Sequence, residues 1–342
     1  MVLGNINKYK LADYITELED EQGIVDVNNI NVAKGDEDSC STFLNGSAPS
    51  YTSRSRANLK VQEGCDYFCS YCIIPFLRGK PRSRDFASCI KEARELQKKY
   101  KEIVLTGINI GTYNYHGKDL ADLIKELLEE TKLERIRISS IEPDLVSDQL
   151  IELMQQEKRV CRHLHIPLQH GSNRILEKMN RQYSIEDYST LVNRLEKEIP
   201  GVCIGMDVMT GFPGETEKDF QTMLDNLKNF PVSHFHVFRY SPKKGTRAYK
   251  MKNKVPAGIV KQRAKQVREL GQHKKHLFVS NYKDKIVEVL AEQKNKEGLL
   301  AGYTDNFIRV KFEGSAASIN EIVKVKIRSV DGMILLGEEI GQ

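Results

Sequence analysis

A chain of 342 residues, 40% hydrophobic and 29% charged, can build one main domain with one or two small ones, and its composition excludes an extended disordered polymer. No run approaches the roughly 18 apolar residues of a membrane span, and the opening MVLGNINKYK lacks the long apolar stretch of a secretory signal, so the expectation is a cytoplasmic protein. The net charge of +5 is mild but uneven: residues 243–285 carry fourteen Lys and Arg against Glu269 and Asp284, which reads either as a solvated helix face or as a phosphate-contacting surface.

In chain order, residues 1–33 open on a strand-like piece, MVLGN, followed by a helical pattern from Lys8 to about Glu19 and by IVDVNNINVA. This is too small to fold alone and looks like the end of an α/β domain. Residues 34–56 are rich in Ser, Gly and Asp, the chemistry of a linker. From Ala57 to about Asn281 apolar, β-branched runs alternate with helical patterns. The strand candidates are 57–63, 102–108, 135–141, 163–168, 202–210 and 234–240; the helix candidates lie near 85–100, 118–130, 146–157, 184–198, 216–229 and 256–280. Such alternation predicts βαβ units and a parallel sheet. Six units are too few for a closed eightfold barrel and fit an open partial (β/α)6 barrel. The stretch 282–342 reads as five short strands with turns between them, predicting a small antiparallel β-barrel of a kind often used to grip nucleic acid.

The seven cysteines are Cys40, Cys65, Cys69, Cys72, Cys89, Cys161 and Cys203. An odd count with one tight group is not a secreted disulfide framework. Cys65, Cys69 and Cys72 place three thiolates on one loop, enough for three corners of an iron–sulfur cubane with one iron left open. A zinc site usually pairs two C-x-x-C units or adds histidines, and no second half follows. Cys89 falls in a predicted helix, Cys161 and Cys203 at or beside strands, and all three read as buried structural thiols.

The other motifs follow the C-terminal ends of predicted strands, where β/α barrels keep their active sites. They are TGINIG (106–111), SSIEP (139–143), PLQHGS (167–172), TGFPGETEKDF (210–220) and YSPKKGTRAY (240–249). Each alone is compatible with a tight turn, and Thr216 with Asp219 looks like a helix-starting pair. Their coincidence at one mouth points to a site.

GCDYFCSYCIIPFLRGKPRSR (64–84) resembles the cluster loop of radical S-adenosylmethionine (SAM) enzymes. The resemblance implies a 4Fe-4S cluster whose open iron chelates SAM, and one-electron cleavage of SAM to methionine and a 5′-deoxyadenosyl radical. Tyr71 matches the aromatic near the adenine. Gly107 and Asn109 stand where the methionine end of SAM is held, and Ser140, Glu142, Gln169 and Asp207 are implied as SAM or substrate contacts. Arg78, Arg82 and Arg84 read either as ligands of phosphate or carboxylate groups or as ordinary surface charge.

From about Arg56 onward, TGINIG, SSIEP, HLHIPLQ, ILEKMNRQY (175–183) and GFPGETE together resemble the methylthiotransferases, and within them the tRNA enzymes acting on N6-threonylcarbamoyladenosine. The C-terminal strands resemble the family's TRAM domain. This likeness implies methylthiolation at C2 of the modified adenosine beside the anticodon, with the base splayed out of a single-stranded loop. It also implies tRNA as partner, a flavodoxin or ferredoxin as reductant, and a monomer. Competing readings are a methylthiotransferase for isopentenyladenosine or a ribosomal protein, and a non-catalytic RNA-binding protein with a structural metal. The chain departs from the family in one respect: members carry three further cysteines for a second cluster, whereas upstream of Cys65 there is only Cys40. The expectation is a fragment of a longer enzyme; a natural short form is the alternative. The lysines of YSPKKGT and His170 after Gln169 are smaller departures, and both are expected at the mouth, with His170 open either to substrate or to solvent.

Overall fold

The computed structural model describes residues 55–341, together with Val2–Leu3, Ile15 and Val25–Asp26. Strand β1 (Val2–Leu3) pairs in parallel with β2 (Val25–Asp26). The other expectations for 1–33, and those for most of 34–56 including Cys40, lie outside the described residues.

Strands β3 (Arg56–Lys60), β4 (Glu102–Thr106) and β5 (Arg135–Ile138) form one parallel sheet, and β6 (His163–His165), β7 (Cys203–Thr210) and β8 (His234–Arg239) a second. Parallel bridges Ile136–Val160 and Ser140–His165 join β5 to the start and end of β6, so the strands run in sequence order around one wall. Among the described residues no pairing returns from β8 to β3, and the wall is an open partial barrel. Side chains alternate across it. Leu59, Ile103, Leu105, Ile136, Ile138, Leu164, Ile204, Met206 and Val208 face outward into one continuous core. Val104, Arg137, His163, His165 and Asp207 take the opposite parity and face the lumen.

The helices are α1 (Ile74–Arg78), α2 (Phe86–Leu96), α3 (Leu120–Glu130), α4 (Asp148–Gln156), α5 (Asn173–Met179), α6 (Ile185–Glu198), α7 (Glu217–Asn229) and α8 (Ala257–Ser280); the short α1 and α5 lie inside loops and the others cover the outer face. Their starts are written in the sequence. Asp119 with Asp122, Ser184 with Asp187, and Thr216 with Asp219 close reciprocal caps on α3, α6 and α7, and Asp85 and Ser147 cap α2 and α4. Each such cap is typically worth about 1 kcal/mol. Apolar residues at helical spacing then bury one face, as Leu120, Leu123, Ile124 and Leu127 do on α3.

The C-terminal strands β9 (Ile286–Lys294), β10 (Leu300–Thr304), β11 (Arg309–Glu313), β12 (Ile322–Asp331) and β13 (Ile334–Glu339) close a barrel in the order β9–β10–β11–β13–β12. The expectation of an antiparallel barrel needs one correction, because the seam between β11 and β13 is parallel. The strand pair β12–β13 forms a hairpin that returns beside β11 in the same sense, and this closes the ring. Val289, Leu300, Val310, Phe312, Val325 and Leu335 fill it, and Val279 near the end of α8 packs into the same core.

Arginines at the N-terminal ends of the partial-barrel strands dock this small barrel at the foot, away from the mouth. Arg135 donates to the carbonyls of Tyr303 and Glu288, and Arg137 to those of Asp305 and Thr304. Arg162 pairs with Asp305, and His163 packs against Phe307 with tilted rings whose centroids are 5.0 Å apart. No helix among the described residues is long and apolar enough to cross a membrane.

Candidate active site

The cysteine loop is fixed from both ends. Gly64 sits at φ +79°, where a β-carbon would come 2.0 Å from the Lys80 carbonyl oxygen, so only glycine lets the loop cross there. The Cys65 N–H donates to the Gly79 carbonyl at 3.0 Å. The Ser70 N–H donates to Met179 O at 2.8 Å, the Ala248 N–H to Ser70 O at 2.7 Å, and Asn180 Nδ2 to Tyr67 O at 2.9 Å. The loop is therefore stitched to the end of α5 and to the loop after β8.

Cys65, Cys69 and Cys72 carry free thiols within electrostatic range of one another. Each receives one N–H: Cys65 from the Tyr67 backbone, Cys72 from the Ile74 backbone at 3.4 Å, and Cys69 from Arg181 Nη1 at 3.1 Å. Burial pushes the Cys65 thiol up to about 11 against the Tyr67 N–H, and burial likewise raises Cys69 against the Arg181 charge. Such thiols ionise when a metal takes the proton's place. Three free thiols in a C-x-x-x-C-x-x-C pattern on one anchored loop, with no second C-x-x-C unit following, fit three corners of an iron–sulfur cubane.

Polar groups around the loop suit SAM. Gln62 Oε1 accepts the N–H groups of Ile108 and Asn109, both at 2.9 Å, and a β-carbon on Gly107 would meet that oxygen at 2.8 Å. The Asn109 amide is buried beside the Tyr67 hydroxyl and brings a donor and an acceptor that suit a polar ligand. Glu142 is ion-paired with Arg181 and lies in the field of Cys65 and Cys69; burial raises its carboxyl and Arg181 opposes the rise. Tyr71 packs with Ile175, Met179, Phe212 and Ala248, a separate apolar cluster at the mouth.

Asp207 reaches His165 Nε2 at 3.1 Å and His236 Nδ1 at 3.5 Å, both through Oδ1. Burial pushes its carboxyl up, but the two imidazoles outweigh it and hold it at about 2. Gln169 holds φ +70°, with its N–H on Asp207 O at 2.8 Å and its carbonyl accepting from Met209 at 2.7 Å. Ser140 is exposed and joins His165 through a backbone bridge. For these two the contacts with the site run through the backbone.

Several expectations change. Arg82 and Arg84 are buried, Arg82 against Glu63 and Arg84 against Glu92, and Arg78 also pairs with Glu63, so this chain's own carboxylates hold all three. His170 is fully buried rather than open at the mouth: its Nδ1 accepts the Ser172 N–H, and its Nε2 faces Glu215 at 3.4 Å. Glu215 in turn holds Arg263 of α8 at 2.6 Å, which removes one arginine from the basic stretch. Lys243, Lys244, Arg247, Lys250, Lys252 and Lys254 are all exposed. Arg181, Gln62 and the two histidines escaped the sequence reading. Arg181 lies inside ILEKMNRQY, and His-x-His recurs in HLHIPL and HFHVFRY at strand spacing, so a search for same-face histidines on adjacent strands would have found that pair.

The Radical SAM superfamily matches residues 59–227 and the TRAM domain matches residues 281–338. The chain is 40% identical over 338 residues to the threonylcarbamoyladenosine tRNA methylthiotransferase MtaB of Bacillus subtilis (strain 168), covering 96% of this chain and 73% of that protein. It is 38% identical over 330 residues to MtaB of Aquifex aeolicus (strain VF5), covering 96% and 77%. It is 36% identical over 349 residues to the tRNA-2-methylthio-N(6)-dimethylallyladenosine synthase of Clostridium tetani (strain Massachusetts / E88), covering 99% and 75%.

Proposed function

The chain belongs to the radical SAM tRNA methylthiotransferases, enzymes that use a 4Fe-4S cluster and SAM, and from that premise we propose that its substrate is N6-threonylcarbamoyladenosine beside the anticodon. The carrying observation is the charge of the mouth. Threonylcarbamoyl ends in a carboxylate, whereas a dimethylallyl group is an uncharged hydrocarbon. The loop after β8 presents Lys243, Lys244 and Arg247 to solvent, cations that suit the charged group. The 40% identity over 338 residues to the MtaB of Bacillus subtilis supports the same choice.

When bound, the cluster and SAM supply the radical that activates C2 of the purine. The protein's part is to hold and orient. Cys65, Cys69 and Cys72 would hold the cluster. The Gly107–Asn109 turn, pinned by Gln62, and Glu142 would take the methionine end of SAM, and Tyr71 would give an apolar wall for its adenine. Gln169, Ser140 and Asp207 would serve the substrate side. Helix α8, 24 residues long and thus about 36 Å, runs from the mouth, where Val260 meets Gly211, to the foot, where Tyr282 just beyond it meets Gly201. Exposed Lys261, Lys265 and Arg268 along it join the mouth cations to the TRAM barrel as one track for tRNA phosphates. A tRNA substrate supports the expectation of a cytoplasmic enzyme, which would act as a monomer and take its electron from a flavodoxin or ferredoxin.

The test is a binding titration with anticodon stem-loops, paired with an assay of 5′-deoxyadenosine formed by reconstituted protein with SAM and reductant, since the described residues carry one cysteine triad. Stem-loops carrying threonylcarbamoyladenosine should bind more tightly, and raise SAM cleavage more, than those carrying dimethylallyladenosine. The opposite preference would overturn the assignment.

A further inference from the structure

We propose that Arg181 sets the reduction potential of the cluster through its hydrogen bond to the Cys69 sulfur, an inference that rests on the reading of Cys65, Cys69 and Cys72 as cluster ligands. Two of the three thiols receive neutral backbone amides, from Tyr67 and Ile74. The third receives a charged donor, Arg181 Nη1 at 3.1 Å. Hydrogen bonds to cluster sulfurs and the net charge nearby are what a protein uses to tune such a centre.

The guanidinium is placed before any ligand arrives. Asn180 caps α5 in the left-handed conformation and turns the chain back toward the cysteine loop. The same residue donates through Nδ2 to Tyr67 and Phe68, so the turn and the loop share one anchor. Arg181 Nε donates to Tyr183 Oη at 3.0 Å, and that hydroxyl donates to Pro167 O at 2.6 Å. The guanidinium lies over the Tyr183 ring, 4.9 Å from its centroid, and Nη2 pairs with Glu142. Arg181 is only 9% exposed, so its field is weakly screened. Nε, Nη2 and one face of the guanidinium are therefore held by the protein, and Nη1 points at Cys69.

The sign follows from charge. One electron passes from a low-potential reductant to the cluster and adds one negative charge to it. A charge-assisted N–H···S bond is stronger to the more negative sulfur of the reduced state, so Arg181 favours reduction. Glu142 opposes it from the same side. Removing Arg181 alone would leave Glu142 buried and unpaired, so the comparison belongs in a background where that carboxylate is neutralised.

The experiment is an EPR-monitored potentiometric titration of reconstituted enzyme without SAM. It compares wild type, Glu142→Gln, Arg181→Met/Glu142→Gln and Arg181→Lys, with iron counted in each. SAM is left out so that any contact of Arg181 with SAM cannot move the result. The double variant should reduce at a more negative potential than Glu142→Gln at equal iron content, and Arg181→Lys should fall less far below wild type than the double variant falls below Glu142→Gln. Equal potentials for the double variant and Glu142→Gln would overturn the proposal. So would loss of iron from the Arg181 variants, because the residue would then be holding the loop rather than tuning the centre. Absence of iron from the wild type would instead overturn the cluster reading itself.

Discussion

Arg137 donates through Nε to Oε1 of Glu102 at 2.7 Å, and both side chains are almost wholly buried where the partial barrel meets the TRAM barrel. Glu102 also faces Arg56 at 3.6 Å and Arg135 at 3.8 Å, so one carboxylate answers three cations. Two of those arginines, Arg135 and Arg137, hold the TRAM backbone. Glu102→Gln removes their directly paired carboxylate and leaves only Asp305, already paired with Arg162, as a further acid in their field, so it should cost up to about 3–5 kcal/mol, the usual penalty for breaking a buried pair from one side. Urea unfolding should show a lowered midpoint, and limited proteolysis should release the TRAM barrel sooner. An unchanged midpoint would mean that the seam is held by other contacts.

Iron retention separates the cysteines. Alanine at Cys65, Cys69 or Cys72 should remove the iron bound at this loop and abolish 5′-deoxyadenosine formation under reduction. Cys89, Cys161 and Cys203 are buried in the packed interior, on a helix and at or beside strands away from the cysteine loop. Alanine at Cys161 or Cys203 should leave the iron content as in wild type. Iron loss from either would show that the site extends beyond the loop.

Gly107 tests the SAM turn. A methyl group there meets Gln62 Oε1 at 2.8 Å and its Cβ at 2.9 Å, and Gln62 is itself buried and held by Gly64 O at 2.8 Å. Gly107→Ala must displace the oxygen that pins the Ile108 and Asn109 amides. Equilibrium dialysis should show SAM binding weaker by about tenfold, the worth of one hydrogen bond to well-ordered polar groups, with the iron content retained. Unchanged binding would separate this turn from SAM.

The sequence carried the order of elements because each helix start and each apolar period is a local fact. Thr216 with Asp219 reads as a cap from four letters and is one in space. The short helices α1 and α5 escaped because they lie inside loops and are set by tertiary packing. The candidate site was legible where covalent spacing sets it: Cys65, Cys69 and Cys72 fall on one anchored loop with free thiols. It was illegible where partners come from far along the chain: Arg181 lies 112 positions from Cys69, and Glu215 lies 48 positions from Arg263. His170 shows the same limit. Position after a strand predicted the mouth, and only the distant Glu215 shows that the ring turns inward.

Acid stability offers a further test at Asp207. Its carboxyl is lowered from 3.8 to about 2, with burial opposing and His165 and His236 prevailing. A folded value below the unfolded one stabilises the fold above pH 3.8, and the contribution is lost as pH falls from 3.8 through about 2. Its size is up to about 2 kcal/mol. Urea midpoints of the cluster-free protein between pH 5 and pH 2 should fall more steeply for wild type than for Asp207→Asn. Parallel curves would mean that the two imidazoles do not hold the carboxylate in solution.

The mouth cations make the last prediction. Lys243, Lys244 and Arg247 are exposed beside the open end of the lumen, in a loop tied back by Thr246 Oγ1 to Lys243 O at 2.7 Å and by Ala248 to the cysteine loop. If each meets a phosphate of a single-stranded loop, replacing all three with alanine should lower the slope of log K against log salt by about 2, at roughly 0.7 per contact. Affinity at low salt should fall by at least tenfold while iron content and reductive cleavage of SAM stay as in wild type, because none of the three touches the cysteines. A loss of affinity with an unchanged salt slope would point to contact with the threonylcarbamoyl carboxylate alone. That outcome would be checked by restoring the discrimination between stem-loops with and without the modification through Lys243→Arg and Lys244→Arg, which keep the charge. Unchanged affinity in the triple alanine variant would move the tRNA footprint off the mouth and onto α8 and the TRAM barrel.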